Sequence, residues 1–129
     1  MELKGKTALI TGGAHRVGRA ITLAFAKAGA NVVINYRSSA DEAQATAAEA
    51  EALGVSALPY QADVSDWPQV QAMAKAAQER FGGVDVLVNS ASIFITTPFP
   101  MQDFSNWHKV ISVLIDGSLY FANAVTPMM

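Results

Sequence analysis

The sequence predicts an α/β fold in which helices cover both faces of a parallel sheet. Segments with strand character alternate along the chain with segments of helical periodicity, which is the pattern of a parallel sheet whose crossovers are helices. The candidate strands are continuous apolar runs, as expected for strands that are buried on both sides. The first strand, about Thr7–Thr11, leads into a glycine-rich turn and then directly into a helix.

The glycine-rich turn indicates what such a sheet could bind. Residues 11–18 read Thr-Gly-Gly-Ala-His-Arg-Val-Gly, so the glycines are Gly12, Gly13 and Gly18. Glycines allow a sharp turn and let backbone amides approach a ligand, and the next helix directs its partial positive charge at the same point. This arrangement is typical of the phosphate-binding turn in a dinucleotide site. The alternative for the turn alone is an ordinary connection between a strand and a helix.

The first helix is predicted over about residues 16–28. Its apolar side chains recur at helical spacing and are expected to face the sheet, and Gly29 ends the helix. These inward positions are Val17, Ile21, Ala24, Phe25 and Ala28.

The remaining alternation supplies three more strands and two more helices before the final segment. Ser38 or Ser39 is expected to cap the alanine-rich second helix, and Ser65 or Asp66 opens the third. The third helix directs Val70, Met73, Ala77 and Phe81 toward the sheet. In order, these elements are a strand at 31–36, a helix at 40–53, a strand at 55–61, a helix up to 81 and a strand at 84–89.

The last helix is predicted from about residue 105 to residue 129, after a loop with Pro98 and Pro100. Apolar side chains spread around most of its circumference, and a helix of that kind requires burial on most sides. They are Trp107, Val110, Ile111, Leu114, Ile115, Leu119, Phe121, Val125 and Met128. One thin sheet cannot cover them, so we expect a homodimer or higher oligomer in which these helices pair. The whole chain, residues 1–129, is expected to be one domain.

Composition narrows the expected partners and compartment. The net charge is −2 at pH 7, so nucleic acid is not an expected partner. The chain has no cysteine, which excludes disulfides and thiolate catalysis and fits the cytoplasm. The first residues lack the apolar core of a signal peptide, and Asp116 interrupts the longest apolar run, so no membrane partner is expected. His15 and His108 belong to no ligand or nucleophile pattern, and no metal site is expected.

Several motifs at these spacings resemble the short-chain dehydrogenase/reductase family. Residues 11–18 are similar to that family's Thr-Gly-x-x-x-Gly-x-Gly, with Arg16 in place of the middle glycine, as in members that look like pteridine reductases. Residues 62–64, Ala-Asp-Val, resemble its Asp-Val pair, and residues 89–92, Asn-Ser-Ala-Ser, resemble its Asn-Asn-Ala-Gly. The resemblance covers essentially the whole chain but only the first half of the family pattern. It implies a Rossmann-like, doubly wound parallel sheet, truncated to four strands in the order 3-2-1-4.

This resemblance implies a nicotinamide dinucleotide cofactor. Arg37 ends the second strand, 19 residues after Gly18, where an acid would instead bind the ribose 2′-hydroxyl. Together with Arg16 it offers positive charge to a 2′-phosphate, which favours NADPH, although a solvated strand-end residue is the alternative. Residues 36–38 also resemble glucose dehydrogenases that accept either nicotinamide, so NADH stays open. The residues expected to bind the cofactor are Gly12, His15, Arg16, Val17, Gly18, Arg37, Ser38, Asp63, Val64, Asn89, Ala91 and Ser92. For Asp63, which would meet the adenine amino group, capping of the next helix is the alternative.

The residues that perform the family's carbonyl chemistry are not found in this sequence. The family uses a tyrosine, a lysine four residues later, a serine and an asparagine. None of Tyr36, Tyr60 and Tyr120 has a lysine four residues later. Residues 110–117 are similar to the family's Val-Ile-x-Val-Asn-Leu-x-Gly, and Leu114 stands in the place of the asparagine. The catalytic residues are therefore unknown.

These features predict an NAD(P)H-dependent oxidoreductase of reduced scope. Carbonyl reduction needs a positioned proton donor, whereas quinone-like or dye-like acceptors take hydride or electrons readily and obtain their proton from water. A diaphorase-like activity without the usual Ser-Tyr-Lys set is the expected function. The alternatives are a non-catalytic dinucleotide-binding module and an inactive fragment of a carbonyl or pteridine reductase.

Overall fold

A four-stranded parallel sheet forms the centre of the protein. The computed structural model describes all residues, 1–129. The strands are β1 (Thr7–Ile10), β2 (Asn31–Tyr36), β3 (Ala57–Gln61) and β4 (Val86–Val88). They lie in the order β3-β2-β1-β4, and every neighbouring pair is parallel. The predicted α/β class and the strand order 3-2-1-4 are confirmed.

Helices cover both faces of this sheet. They are α1 (Arg16–Lys27), α2 (Ala40–Ala52), α3 (Trp67–Phe81), α4 (Ser105–Ile111) and α5 (Gly117–Val125). Five residues of π-helix, Ser112–Asp116, join α4 to α5, and a 3₁₀ turn, Thr126–Met128, follows α5. The predicted element ends differ from the observed ones by up to two residues, which is the usual uncertainty of helix and strand boundaries.

Alternating strand residues separate two apolar cores. Ala8 and Ile10 of β1 point to the core beneath α1 and α2, and Leu9 points to the core beneath α3 and α5. On the α3 side, Val70, Met73 and Ala77 are buried as predicted. Successive side chains of a strand point to opposite faces, so continuous apolar strands are required to fill both cores.

The inward face of α1 agrees with the prediction only in part. Val17 is 70% exposed, and Ala24 and Ala28 are exposed as well. The buried residues are instead Gly18, Thr22 and Ala26, which recur every four residues. Their small side chains let α1 lie close to the turn and the sheet, and the Thr22 hydroxyl is satisfied by two backbone carbonyls, of Gly13 and Gly18. The prediction is therefore right for Ile21 and Phe25, which are half-buried and pack against the core, and wrong for Val17, Ala24 and Ala28, because the close approach of α1 brings its smallest residues inward.

The caps also correct the sequence-based expectations in part. Ser39 occupies the N-cap of α2, but its side chain makes no capping hydrogen bond. Asp66 caps α3, since its carboxylate accepts from the Gln69 amide at 3.2 Å. Asp63 caps no helix and instead accepts hydrogen bonds from Ser65.

The last helix is covered on one side only. Val113, Gly117, Phe121 and Val125 recur every four residues and are buried against the rest of the fold, where α5 contacts α3 and β4. Other apolar residues of this helix are exposed, and they include Trp107, Leu114, Ile115 and Leu119.

By length and composition alone, this helix could also cross a membrane, although Asp116 interrupts it. Ser105–Met128 has 24 residues and a mean hydropathy of 1.3 in its most apolar window. A soluble protein's core helix passes the same test, so the finding is weak by itself. The buried side fits packing in this fold, and the exposed side is left without a cover in the described chain.

Candidate functional site

A cleft of about 420 Å³ lies where the parallel strands end at their carboxyl termini. Ligand clefts typically have volumes of roughly 300–1,000 Å³. In open α/β sheets, ligands bind at this edge, where neighbouring strands lead into connections on opposite faces. Here that point lies between β1, whose chain continues to β2 on one side, and β4 on the other. The fold therefore places the cleft where a ligand is expected.

The cleft brings together the residues that the sequence predicted, with one exception. Gly12, His15, Arg16, Val17, Gly18, Arg37, Ser38, Asp63, Val64, Ala91 and Ser92 all line it. Asn89 does not, because it is exposed at the end of β4 and its amide nitrogen is 3.5 Å from the Ser118 carbonyl oxygen. The lining residues that the sequence analysis missed are Ala14, Asn35, Tyr36, Ser39, Ala62, Ser90, Ile93, Phe94 and Val113.

The glycines of the turn make close packing possible within the protein. Gly12 has a positive φ of 60°, and a Cβ there would lie 2.9 Å from the Cα of Ala91. A Cβ at Gly18 would overlap the carbonyl oxygen of Gly12. The turn is thus packed against the start of α1 on one side and against the loop after β4 on the other.

The backbone amides from Ala14 to Gly18 make no hydrogen bond within the protein. The first amide of α1 with a partner is that of Arg19, which donates to the His15 carbonyl at 3.2 Å. All five residues with free amides line the cleft. A helix N-terminus with free amides carries partial positive charge and binds anions, phosphates above all.

Asn35 is the buried residue that joins the turn to the sheet. Its side chain is 2% exposed; Oδ1 accepts from the Gly12 amide at 3.0 Å and Nδ2 donates to the Ala62 carbonyl at 3.0 Å. It thereby links the ends of β1, β2 and β3. The signal in the sequence was a single amide within the apolar strand Val32-Val33-Ile34-Asn35, which interrupts a run buried on both sides.

Thr11 makes the matching link to β4. Its Oγ1 accepts hydrogen bonds from the amides of Ser90 and Ala91, both at 2.9 Å. The resemblance to the family's Asn-Asn-Ala-Gly covers this same segment. The backbone at Ser90 and Ala91 is therefore fixed beside the glycine-rich turn.

Two positively charged side chains in the cleft have no ion-pair partner within the protein. Arg16 and Arg37 both line the cleft, and neither is part of an ion pair within the protein, in contrast to Arg19, which pairs with Glu49. The backbone at Arg16 is left-handed, with φ +52°. Glycine adopts this conformation readily and asparagine tolerates it, whereas most other residues are disfavoured there. His15 lies beside the turn with Nδ1 4.0 Å from the Glu42 carboxylate.

Asp63 remains ionised at neutral pH. Burial by itself raises the pKa of its carboxyl, but hydrogen bonds from the Ser65 hydroxyl and amide, with the positive charges of Arg37 and Lys109, outweigh it and hold the pKa below the ordinary 3.8. The Ser65 hydroxyl lies 2.6 Å from Oδ1. A charged acceptor is thus fixed at the end of β3.

No acid–base pair for carbonyl chemistry lies in the cleft. Tyr36 lines it, whereas Tyr60, Tyr120 and Leu114 do not. No three histidine, cysteine, aspartate or glutamate side chains approach one another closely enough to hold a metal ion. The free amides and unpaired arginines of the cleft are suited to a ligand that carries phosphate groups.

Comparison with protein families gives one match over nearly the whole chain. The family model described as short chain dehydrogenase matches residues 6–129. The chain is 40% identical over 116 residues to 3beta-hydroxysteroid dehydrogenase 1 of Eggerthella lenta, covering 90% of this chain and 44% of that protein. It is 38% identical over 124 residues to the 3-oxoacyl-acyl-carrier-protein reductase FabG of Staphylococcus epidermidis, covering 96% and 51%. The chain thus spans about half the length of these relatives.

Solved structures of similar fold agree with this match. A short-chain dehydrogenase/reductase mutant from Serratia marcescens has a TM-score of 0.94 at 28% identity, covering 100% of this chain and 53% of that one. A blue fluorescent protein from a metagenomic library, in complex with NADPH, has a TM-score of 0.93 at 32% identity with the same coverage.

Proposed function

Since the chain belongs to the short-chain dehydrogenase family, we propose that it binds a nicotinamide dinucleotide in the cleft and acts as an oxidoreductase. The observation that carries this proposal is the set of free amides from Ala14 to Gly18, all on residues that line the cleft. A pyrophosphate is the dinucleotide group that such a helix N-terminus suits. The ionised Asp63 would accept a hydrogen bond from the adenine amino group.

NADPH is the cofactor that the charges favour. Arg16 and Arg37 line the cleft without any intramolecular ion pair, and Ser38 adds a hydroxyl beside Arg37. An arginine binds a phosphate through two parallel hydrogen bonds, which a ribose hydroxyl cannot match. No acid lies at the position where NADH-binding folds use one for the 2′-hydroxyl of the ribose. NADH could still bind through its pyrophosphate.

The acceptor is proposed to be a flat, weakly polar molecule of the quinone or dye class. The bound nicotinamide would supply the hydride, and the acceptor would take its proton from water. Phe94, 93% exposed, and Ile93 line the same cleft as Ala91 and Ser92. An exposed aromatic ring stacks favourably on a flat acceptor, and the lack of a tyrosine–lysine pair leaves proton delivery to solvent.

A second copy of the chain is the proposed partner. Ile115 and Leu119 are 59% and 64% exposed on the last helix, and Trp107 nearer its start is exposed as well. Pairing of two such helices buries their apolar surface by helix packing around a two-fold axis. The absence of cysteine fits a cytoplasmic location for this dimer.

The test measures NADPH absorbance with and without a soluble quinone or a tetrazolium dye, and with NADH in parallel. We expect turnover above the buffer blank, with NADPH preferred over NADH. Arg37→Ala should abolish this preference. Lys75→Ala, which removes a charge from the α3 surface, is the control and should keep it. Phe94→Ala should raise the KM for the acceptor and leave NADPH binding unchanged. Failure of the wild type to bind either dinucleotide would contradict the proposal.

A non-catalytic dinucleotide-binding module is the second candidate. The observation in its favour is the cleft itself, in which Tyr36 has no lysine partner. Under this function, NADPH would bind with the same dependence on Arg37, but no acceptor of any class would be reduced. Binding by calorimetry without absorbance loss distinguishes it from the oxidoreductase.

A further inference from the structure

One buried polar side chain outside the cleft contacts the phosphate-binding turn. Thr46 lies in the middle of α2 and is 0% exposed. Its neighbours on the buried face of α2 are all alanines, Ala43, Ala47 and Ala50. The Thr46 hydroxyl donates a hydrogen bond of 2.9 Å to the carbonyl oxygen of Ala14, 32 residues earlier in the chain. The only polar side chain on the buried face of α2 therefore forms a hydrogen bond with the turn.

The direction of the Ala14 carbonyl determines the direction of the next amide. In a trans peptide the C=O and the following N–H point in opposite directions. Because the Ala14 carbonyl is held toward α2, the His15 amide points away from α2, and that amide makes no hydrogen bond within the protein. Both residues line the cleft.

The Gly18 amide is free for a local reason. His15 is extended, with φ −150° and ψ 166°, and Arg16 has φ +52°, so the chain before α1 is not helical and does not present the Ala14 carbonyl to Gly18. The first amides of a helix have no partner within it. The hydrogen bond from Thr46 therefore bears on the His15 amide.

We propose that Thr46 is a positioning residue for dinucleotide binding, which holds the Ala14 carbonyl so that the His15 amide stays directed at a phosphate. This inference rests on the proposed function. Thr46 itself does not line the cleft, so it acts only through the turn. Its contribution concerns the phosphates that the helix N-terminus binds and not the adenine or its ribose.

The experiment compares two ligands and two substitutions. NADPH contains a pyrophosphate and 2′-AMP does not, and calorimetry gives the Kd of each. Thr46→Val keeps the shape and removes the donor, whereas Thr46→Ser keeps the donor. Ala50→Gly is the matched control, because it weakens the same buried face of α2 without a hydrogen bond to the turn. Thr46→Ala replaces Thr46→Val if the valine variant does not fold.

Thr46→Val is expected to weaken NADPH binding about 10-fold, the scale of one aligned hydrogen bond to a charged acceptor, and to leave the Kd of 2′-AMP within about twofold. Thr46→Ser should bind NADPH like the wild type, and so should Ala50→Gly. In the free protein, the amide resonance of His15 should move in Thr46→Val and not in Ala50→Gly.

Two results would overturn the inference while leaving the proposed function intact. One is a wild type that binds NADPH and a Thr46→Val variant that binds it equally well. The other is weaker binding of both NADPH and 2′-AMP that is proportional to the loss of protein stability and is equally large in Ala50→Gly. If the wild type does not bind NADPH at all, the proposed function itself fails, and the role of Thr46 in binding fails with it.

Discussion

The glycine-rich turn and the last helix differ in which side chains are buried and which are exposed. Around the turn, polar groups are buried and bonded, since Thr11, Thr22, Asn35 and Thr46 each hydrogen-bond to backbone beside the cleft. Along the last helix, apolar groups are exposed, and Leu119 is 64% accessible. Buried polar groups cost stability unless they are satisfied, and exposed apolar surface indicates a missing neighbour.

This difference shows which part of the molecule is complete in itself. Every partner that shapes the turn comes from this chain, so the free amides are in place before any ligand binds. The outer side of the last helix has no such partner within the chain. Four predictions test whether the turn is self-sufficient and whether the helix depends on a second molecule.

Substitution of Gly18 is expected to have the largest effect. In Gly18→Ala the added methyl would overlap the Gly12 carbonyl, which is backbone and cannot move aside cheaply. We expect a loss of about 3 kcal/mol in the free energy of unfolding and no measurable NADPH binding. Denaturant titration and calorimetry check this. Ala20→Val, on the exposed side of α1, is the control, and wild-type binding in Gly18→Ala would show that the turn is not closely packed.

Charges on the outer side of the last helix should separate the proposed dimer. Ile115 and Leu119 are exposed and lie four residues apart, on one side of the helix. The double substitution Ile115→Asp and Leu119→Asp should raise the dimer dissociation constant at least about 100-fold, because each charge would be desolvated in the interface.

Analytical ultracentrifugation measures that constant. Gln71→Glu, on the exposed side of α3, is the control and should leave the association unchanged. A wild type that is monomeric at every concentration would contradict the assignment of this helix to a second copy of the chain.

Removal of the Arg16 side chain should show whether Arg16 contributes to binding through its charge or through the shape of the turn. Arg16→Gly relieves the left-handed backbone at φ +52° and is expected to change stability by less than about 1 kcal/mol. NADPH affinity should fall about 10-fold, with NADH affinity unchanged. Arg16→Asn tolerates the same backbone without the flexibility of glycine and should behave alike. Equal losses for both dinucleotides would assign Arg16 to the turn itself.

The smallest expected effect concerns pH and Asp63. The pKa of this carboxyl in the folded protein lies below its ordinary value, so the unfolded chain binds the proton more readily and stability rises with pH in that range. Its stabilisation is present above the unfolded pKa and is lost as pH falls through the folded pKa. Asp63→Asn should therefore reduce the slope of stability against pH below the ordinary pKa of 3.8. Urea midpoints across that range test this, and an unchanged slope would contradict it.

Much of the fold followed from local patterns. Four apolar strands with intervening helices predicted the parallel sheet, and its order was implied by family resemblance. Asp66 was among the expected caps because a short side-chain oxygen at a helix start accepts hydrogen bonds from the first amides of the helix. The free amides of the turn were also expected, because glycines and a following helix leave them without partners.

The missed residues depended on contacts between distant segments. Asn35 interrupts an apolar strand, but only the arrangement of β1, β2 and β3 shows that it bonds to Gly12 and Ala62. The inward face of α1 was assigned to apolar residues alone, whereas Thr22 also faces inward because two carbonyls satisfy its hydroxyl. Phe94 and Val113 reach the cleft through a loop and a helix whose paths periodicity does not predict.

The sequence by itself determined the class of fold, the position of the glycine-rich turn and most residues that line the cleft beside it. Hydrophobic period, glycine placement and helix termini act over a few residues, so they are readable along the chain. Only the tertiary structure decided which polar groups are buried and bonded, that Thr46 of α2 holds the Ala14 carbonyl, and which side of the last helix is exposed. These depend on segments that are distant in sequence, and a hydrogen bond over such a separation exists only after packing brings its two groups together.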